Sequence, residues 1–135
     1  MRRRNSTLFL LGAVLLFSAM AYGFGGTSAY VVPRVEYVRP TDESVISLED
    51  KDGIAFEWRR VPIPSGGREC YRITIIKEPG YDTVFDKTID ERTFSVKVPA
   101  GVFEPGMTYR WRVKQRDART MFWSNYDLWY FKVKR

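Results

Sequence analysis

Few residues in this chain can do chemistry, and their types narrow the choice at once. None of the 135 residues is histidine, which removes imidazole acid–base catalysis, His-containing triads and imidazole metal ligation together. Ser124 therefore has no imidazole base to activate it. Cys70 is the 1 cysteine; it closes no internal disulfide and makes no zinc site. Only the neighbouring Arg68 and Arg72 would lower its thiol pKa, so it reads as a small apolar filler at the start of a strand. The carboxylates are scattered through turns (Asp42, Glu43, Glu49, Asp50, Asp52) and a connecting loop (Asp86, Asp90, Glu91). Two carboxylates can hydrolyse a glycoside, but no insertion is present to build a cleft around a pair. Glu49-Asp50-Lys51-Asp52-Gly53 has the ingredients of a calcium loop. It is too short for an EF-hand and reads as a solvated turn. The expectation is a non-enzyme with no cofactor and no metal.

What remains is binding chemistry, and two groups of residues offer it. Arg110, Arg112, Lys114 and Arg116 alternate with Tyr109, Trp111 and Val113. On a strand this spacing sends the cations to one face and the apolar side chains to the other. Arg72, Thr74 and Ile76 on one further segment, and Tyr130, Lys132 and Lys134 on another, occupy the same outward positions. Strands lie about 4.8 Å apart, so these residues would form one basic patch. Like charges crowded on one face repel and invite an anionic partner. The alternative is that the long side chains solvate an outer face and guard an edge. The second group is the segment Ala118–Tyr126, whose Met121, Phe122, Trp123 and Tyr126 make an unusually apolar loop. Exposed, it is a contact surface; folded down, it caps the domain. Trp123 or Phe122 lying over Arg112 or Arg116 would form a cation–π stack worth about 1 kcal/mol or less.

These residues must be positioned by the rest of the chain. At 44% hydrophobic and 16% aromatic, the composition supports a real core and excludes intrinsic disorder. The length suits one domain. Arg2-Arg3-Arg4, the apolar run Leu8–Phe17 and the small residues of Ala19-Met20-Ala21 have the three-part layout of a secretory signal (residues 1–21), cleaved after Ala21. An uncleaved membrane anchor is the alternative, since the apolar stretch to Phe24 is at the short end of what spans a bilayer. Losing Arg2–Arg4 would halve the formal charge of +6, so the total gives no footing for nucleic-acid binding. Residues 22–32 read as a Gly-rich tether, and 33–135 as the domain.

From Pro33 onward the pattern has a period of two, broken by turn signals. Val35–Arg39 is a first edge strand, and Val45, Ile46 and Leu48 an irregular continuation. Asp52-Gly53 is a turn. Ile54–Trp58, Tyr71–Lys77, Thr83–Lys87, Thr93–Val98, Tyr109–Gln115 and Leu128–Lys134 complete about seven strands, an all-β sandwich.

These segments resemble a fibronectin type III domain. The resemblance covers Pro33 to Arg135 and is carried by four features. A strand ending in Trp58 follows a Pro-led first strand. Tyr71-x-Ile73-x-Ile75 is similar to the family's Tyr-led third strand, and Phe131-x-Val133 to its closing strand. Most specific is Phe103-Glu104-Pro105-Gly106-Met107-Thr108-Tyr109, which resembles the family's tyrosine corner. There Gly106 would take a positive φ, and Tyr109 would bury its ring while its hydroxyl bonds back to the corner. The resemblance implies a seven-stranded Greek-key sandwich in which Trp58, Tyr71, Tyr109, Trp111 and Phe131 are core. The Arg/Trp alternation followed by Trp123-Ser124 is also similar to cytokine-receptor modules of this family, though the second Trp-Ser is missing; no receptor function follows from it. The expected role is a non-catalytic protein-interaction module, exported to the periplasm, the cell envelope or the extracellular space. Its partner would be an envelope protein. The alternative is a module for an anionic envelope polysaccharide, using the exposed aromatics and the basic face. Contact with a membrane is expected only if the leader is retained.

Overall fold

The computed structural model describes residues 31–135, apart from Ser65 and Glu91. The expected leader and the tether up to residue 30 lie outside the described residues. Among the described residues eight strands run β1 (Glu36–Arg39), β2 (Ser44–Ser47), β3 (Gly53–Arg59), β4 (Glu69–Glu78), β5 (Asp82–Ile89), β6 (Ser95–Pro99), β7 (Thr108–Asp117) and β8 (Trp129–Lys134). One 3-10 turn, Ala100–Val102, follows β6. Among the described residues no helix is long and apolar enough to cross a membrane.

The strands form two sheets, β1-β3-β6 and β2-β8-β7-β4-β5. Every pairing is antiparallel except β2 with β8. Of the strands that neighbour each other in a sheet, only β4–β5 and β7–β8 are consecutive in the chain; the other connections cross over, as in a Greek key. The strand count corrects the expectation of seven. Ser44–Ser47 leaves the first sheet and pairs in parallel with β8, from Ser44 opposite Phe131 to Ser47 opposite Lys134. Val45 is exposed and the other three residues are half-buried. A short edge strand of this kind carries almost no alternation to read.

Gly53 also departs from expectation. It is the first residue of β3 rather than a turn residue. A Cβ there would stand 2.5 Å from the Val98 carbonyl oxygen of β6, so glycine is required by the close approach of two backbones.

The core lies between the sheets. Phe56, Trp58, Tyr71, Ile73, Ile75, Val98, Tyr109, Trp111, Val113, Phe131 and Val133 are buried there. Rings from both sheets meet edge to face: Phe56 with Trp111 at 5.2 Å and with Phe131 at 5.7 Å. Such pairs add about 0.5–1.5 kcal/mol each beyond the area they bury.

The corner forms as its sequence requires. Gly106 has φ 88°, and its N–H donates to the Val133 carbonyl at 2.7 Å. The hydroxyl of fully buried Tyr109 accepts the Glu104 N–H at 2.7 Å. A second tyrosine ties the sheets together. Tyr37, on β1, sends its hydroxyl to β7, where it accepts the Val113 N–H at 2.9 Å and donates to the Asp127 carbonyl at 2.6 Å.

Candidate functional site

Strand β7 builds the site. Its ten residues alternate without a break between half-buried and buried. Tyr109, Trp111, Val113, Gln115 and Asp117 point inward, while Arg110, Arg112, Lys114 and Arg116 lie along the outer face. Neighbouring strands set what lies beside each cation. Arg72 on β4 is directly opposite Lys114, Thr74 is opposite Arg112, and Cys70 is opposite Arg116. Tyr130 on β8 is opposite Arg110. The expected basic patch therefore assembles on one sheet face.

Two of its expected members behave differently. Ile76, opposite Arg110, is buried, and the β4–β5 register shifts beside it. Thr74 is buried under the ion pair that spans it and directs its hydroxyl to Asp86 at 3.4 Å. Lys132 and Lys134 are exposed at the β8–β2 end of the sheet, beyond the Arg110–Tyr130 pair. Cys70 is half-buried on the outer face rather than packed as core filler.

The apolar loop is exposed, the first of its two expected arrangements, while its backbone runs back along β7. Strand β8 pairs with β7 only from Thr108 to Trp111. Past that point the Tyr37 hydroxyl takes the Val113 N–H, and the returning loop takes over the rest of the edge. The Asp117 N–H donates to the Phe122 carbonyl at 3.0 Å, and the Ser124 N–H to the Gln115 carbonyl at 2.8 Å. The buried Ser124 hydroxyl accepts the Gln115 N–H at 3.0 Å. This clamp folds the rings that follow β7 back over the sheet.

The result is an alternation of rings and cations. Trp123 lies over Arg116 at 5.2 Å and over Lys114 at 5.3 Å. Tyr126 lies over Arg112 at 4.7 Å and near Lys114 at 5.7 Å. Tyr81, from the β4–β5 turn, lies over Arg110 at 4.5 Å. Of the stacks expected from the sequence, Trp123 with Arg116 forms. Trp123 and Tyr126 remain 37% and 36% exposed, and Met121 and Phe122 at the tip are 57% and 60% exposed.

Acidic counter-charge is sparse on this face. Arg72 holds Asp86 with two bonds, Nε to Oδ1 at 2.9 Å and Nη2 to Oδ2 at 2.6 Å. Bonding by Arg72 keeps the Asp86 carboxyl below its ordinary pKa, and the same bond raises Arg72. Arg110 Nε lies 3.1 Å from Glu78 Oε1, an ion pair whose angle does not make a hydrogen bond. Lys114 is pushed down, first by burial and then by the charges of Arg112 and Arg72. The Nε atoms of Arg112 and Arg116 are sealed from solvent with no acceptor.

Several of these parts escape sequence reading. Tyr81 gives no periodic signal, and the alternation in Val35–Arg39 and Thr83–Lys87 does not tell where Tyr37 and Asp86 send their polar groups. Gln115 does: it is a polar residue at an inward position, and its amide donates to the Pro33 and Val61 carbonyls at 2.6 and 3.0 Å. Elsewhere, buried Glu69 is held by Arg60 Nε at 2.9 and 3.0 Å and by the Tyr71 hydroxyl at 3.2 Å, which leaves it bound up in structure. Among the described residues no three carboxylates or thiols gather into a metal-binding group.

Comparison with solved structures bears on the fold. The chain is similar to the crystal structure of the chicken CNTN1 FN1–FN3 domains, with TM-score 0.51 and 10% identity over 78% of this chain and 35% of that one. The fold is a fibronectin type III-like, immunoglobulin-like sandwich. The chain spans about a third of that structure's length, and identity this low carries architecture alone. No protein-family model and no curated protein matches the sequence.

Proposed function

We propose that this sandwich is a non-catalytic protein-interaction module of the cell envelope or extracellular space, and that it binds through the ring-and-cation face of the five-stranded sheet. One observation carries the reading. Trp123 is flanked by a backbone clamp and Tyr126 precedes Asp127, whose carbonyl takes the Tyr37 hydroxyl; both rings stack on cations and still expose over a third of their surface. Rigid aromatic and arginine groups of this kind dominate protein interfaces because little entropy is lost when they are covered. The fibronectin type III-like architecture is compatible with this role without deciding it. Export follows from the expected leader.

The test is crosslinking from the loop. A photoreactive residue at position 121 in the full chain, irradiated in cells that export it, is expected to yield a discrete protein adduct. The adduct should disappear when Trp123→Ala and Tyr126→Ala are combined. An adduct that persists in the double variant, or that forms equally from a probe at Ala55, exposed on β3 of the other sheet, would overturn the reading. The exposed rings favour a second reading, stacking on an envelope polysaccharide. Retention on polysaccharide columns at low salt, lost in Trp123→Ala, supports that one; absence of retention on any polymer removes it.

A further inference from the structure

The electrostatics of β7 are unbalanced in one particular stretch. Arg110 has Glu78 beside it, and Arg72 has Asp86. Arg112, Lys114 and Arg116 form no ion pair among the described residues; Tyr126 and Trp123 lie against them, and Asp86, in the same cross-strand row as Arg112, has both its oxygens taken by Arg72. Lys114 is also directly opposite Arg72, and like charges facing each other across a strand pair are destabilising.

An aromatic ring compensates such a row only in part. It covers the face of a guanidinium and leaves the in-plane N–H donors unused. In Arg112 and Arg116 the Nε is sealed without an acceptor. The two terminal amino groups are not sealed, and they are the fork that grips a carboxylate with two parallel bonds. A ring on the face holds that fork at one orientation and lowers the entropy lost on binding.

Spacing and surroundings point to the partner. Arg112, Lys114 and Arg116 sit at every second residue of one strand, so they repeat at about 6.8 Å. An extended peptide with acidic residues at alternate positions has the same repeat. At the Arg116 end lie Met121 and Phe122, both exposed. They provide apolar contact area that a protein side chain would use and a sulfated or carboxylated sugar chain would not.

We propose that Arg112, Lys114 and Arg116, framed by Tyr126 and Trp123, bind an extended acidic segment of a protein partner that carries carboxylates at alternate residues and an apolar side chain at the end that meets Met121 and Phe122. The inference rests on the interaction reading above and names the chemistry of the partner.

Fluorescence anisotropy on the full chain tests it with three labelled peptides. One has Glu at alternate positions and a terminal Phe. The second has the same composition with the Glu residues consecutive, and the third replaces Glu by Lys. The alternating peptide should bind several-fold tighter than the block isomer, weaken as salt rises, and outcompete the Lys peptide. Lys114→Gln with Arg116→Gln should weaken it by roughly threefold to tenfold, the scale of two partly exposed charge contacts. Lys87→Gln should leave binding unchanged, since Lys87 pairs with Ile73 and so takes the opposite face of the sheet. An unchanged melting curve for the Lys114/Arg116 variant shows that the loss is not unfolding.

Equal affinity for the alternating and block peptides would overturn the inference, as would equal loss in Lys87→Gln. So would tight, ladder-dependent binding of heparin with no binding of either acidic peptide. If the peptides fail while the position-121 adduct still forms, this inference falls and the interaction reading stands; loss of both ends both.

Discussion

Replacing Tyr37 by Phe removes one oxygen atom and leaves the ring where it is, stacked on Trp111 at 4.5 Å and edge-on to Trp129 at 5.2 Å. The oxygen is placed where two ladders fail to meet. Strand β8 stops pairing with β7 at Trp111, and the loop resumes pairing at Gln115. The Val113 N–H between them is buried, and the Tyr37 hydroxyl accepts it. Removing the hydroxyl forfeits that bond and the one to the Asp127 carbonyl, and it strands a buried donor. Summing the net bonds and the unpaired N–H gives a loss of roughly 2–4 kcal/mol. For a domain of this size that lowers the melting temperature by roughly 10–20 °C. Tyr109→Phe is the internal control. Its partner, the Glu104 N–H, belongs to an exposed residue that water can reach, so about 1 kcal/mol is expected.

A pH series sharpens the test. Burial pushes the Tyr37 phenol from 10.0 up to about 12. Between those values the unfolded chain ionises this group while the folded one still holds the proton, so the unfolded state binds fewer protons and stability falls as pH rises. The contribution is fully present below pH 10 and is lost on approach to pH 12; a rise to about 12 corresponds to roughly 2–3 kcal/mol. The Phe variant has no such group. The gap between the urea midpoints of wild type and Tyr37→Phe should therefore narrow across this window. A Tyr109→Phe loss equal to or larger than that of Tyr37→Phe, or a gap that stays constant to pH 12, would refute the role given to the Tyr37 hydroxyl.

Two other substitutions probe the close approach of β3 to β6 and the loop clamp. Gly53→Ala brings a methyl group to 2.5 Å from the Val98 oxygen. The strands must separate at that point, so a loss of about 1–3 kcal/mol is expected, with faster amide exchange along β6; an unchanged melting temperature would show that the approach is not as close as described. Ser124→Ala deprives the Gln115 N–H of its acceptor at a buried position. Stability should drop by about 1–3 kcal/mol and tryptophan emission should shift to the red as Trp123 loosens from Arg116. A loop held by other means would leave both readings where they were.

Much of this architecture is legible without coordinates. The period of two along Tyr109–Gln115 assigns each side chain a face, and the observed burial follows it residue by residue. Pro105-Gly106 with Tyr109 encodes a corner whose hydrogen bond and positive φ are both present. Strand β2 is harder to read because it is four residues long, paired on one side only and exposed at Val45. Gly53 looks like any Asp-Gly turn until β6 is laid against it. The basic row and the aromatic loop are both visible in the chain, and so is a stack between them, but not which ring meets which cation.

Facing is a local property of this sequence: each peptide unit turns the next side chain to the opposite side of the strand, whatever the rest of the chain does. That is why the chain by itself determines which cations share a surface and which rings fill the interior. Which ring lies on which cation, and which hydroxyl reaches Val113, depends on where β8 stops pairing and on the path by which the loop returns. Those are set by contacts between residues far apart in the chain, such as Tyr37 with Val113 and Tyr81 with Arg110. The first exists only once two sheets have closed on one another, the second only once the β4–β5 turn lies beside β7 within one sheet, and only the tertiary structure decides them.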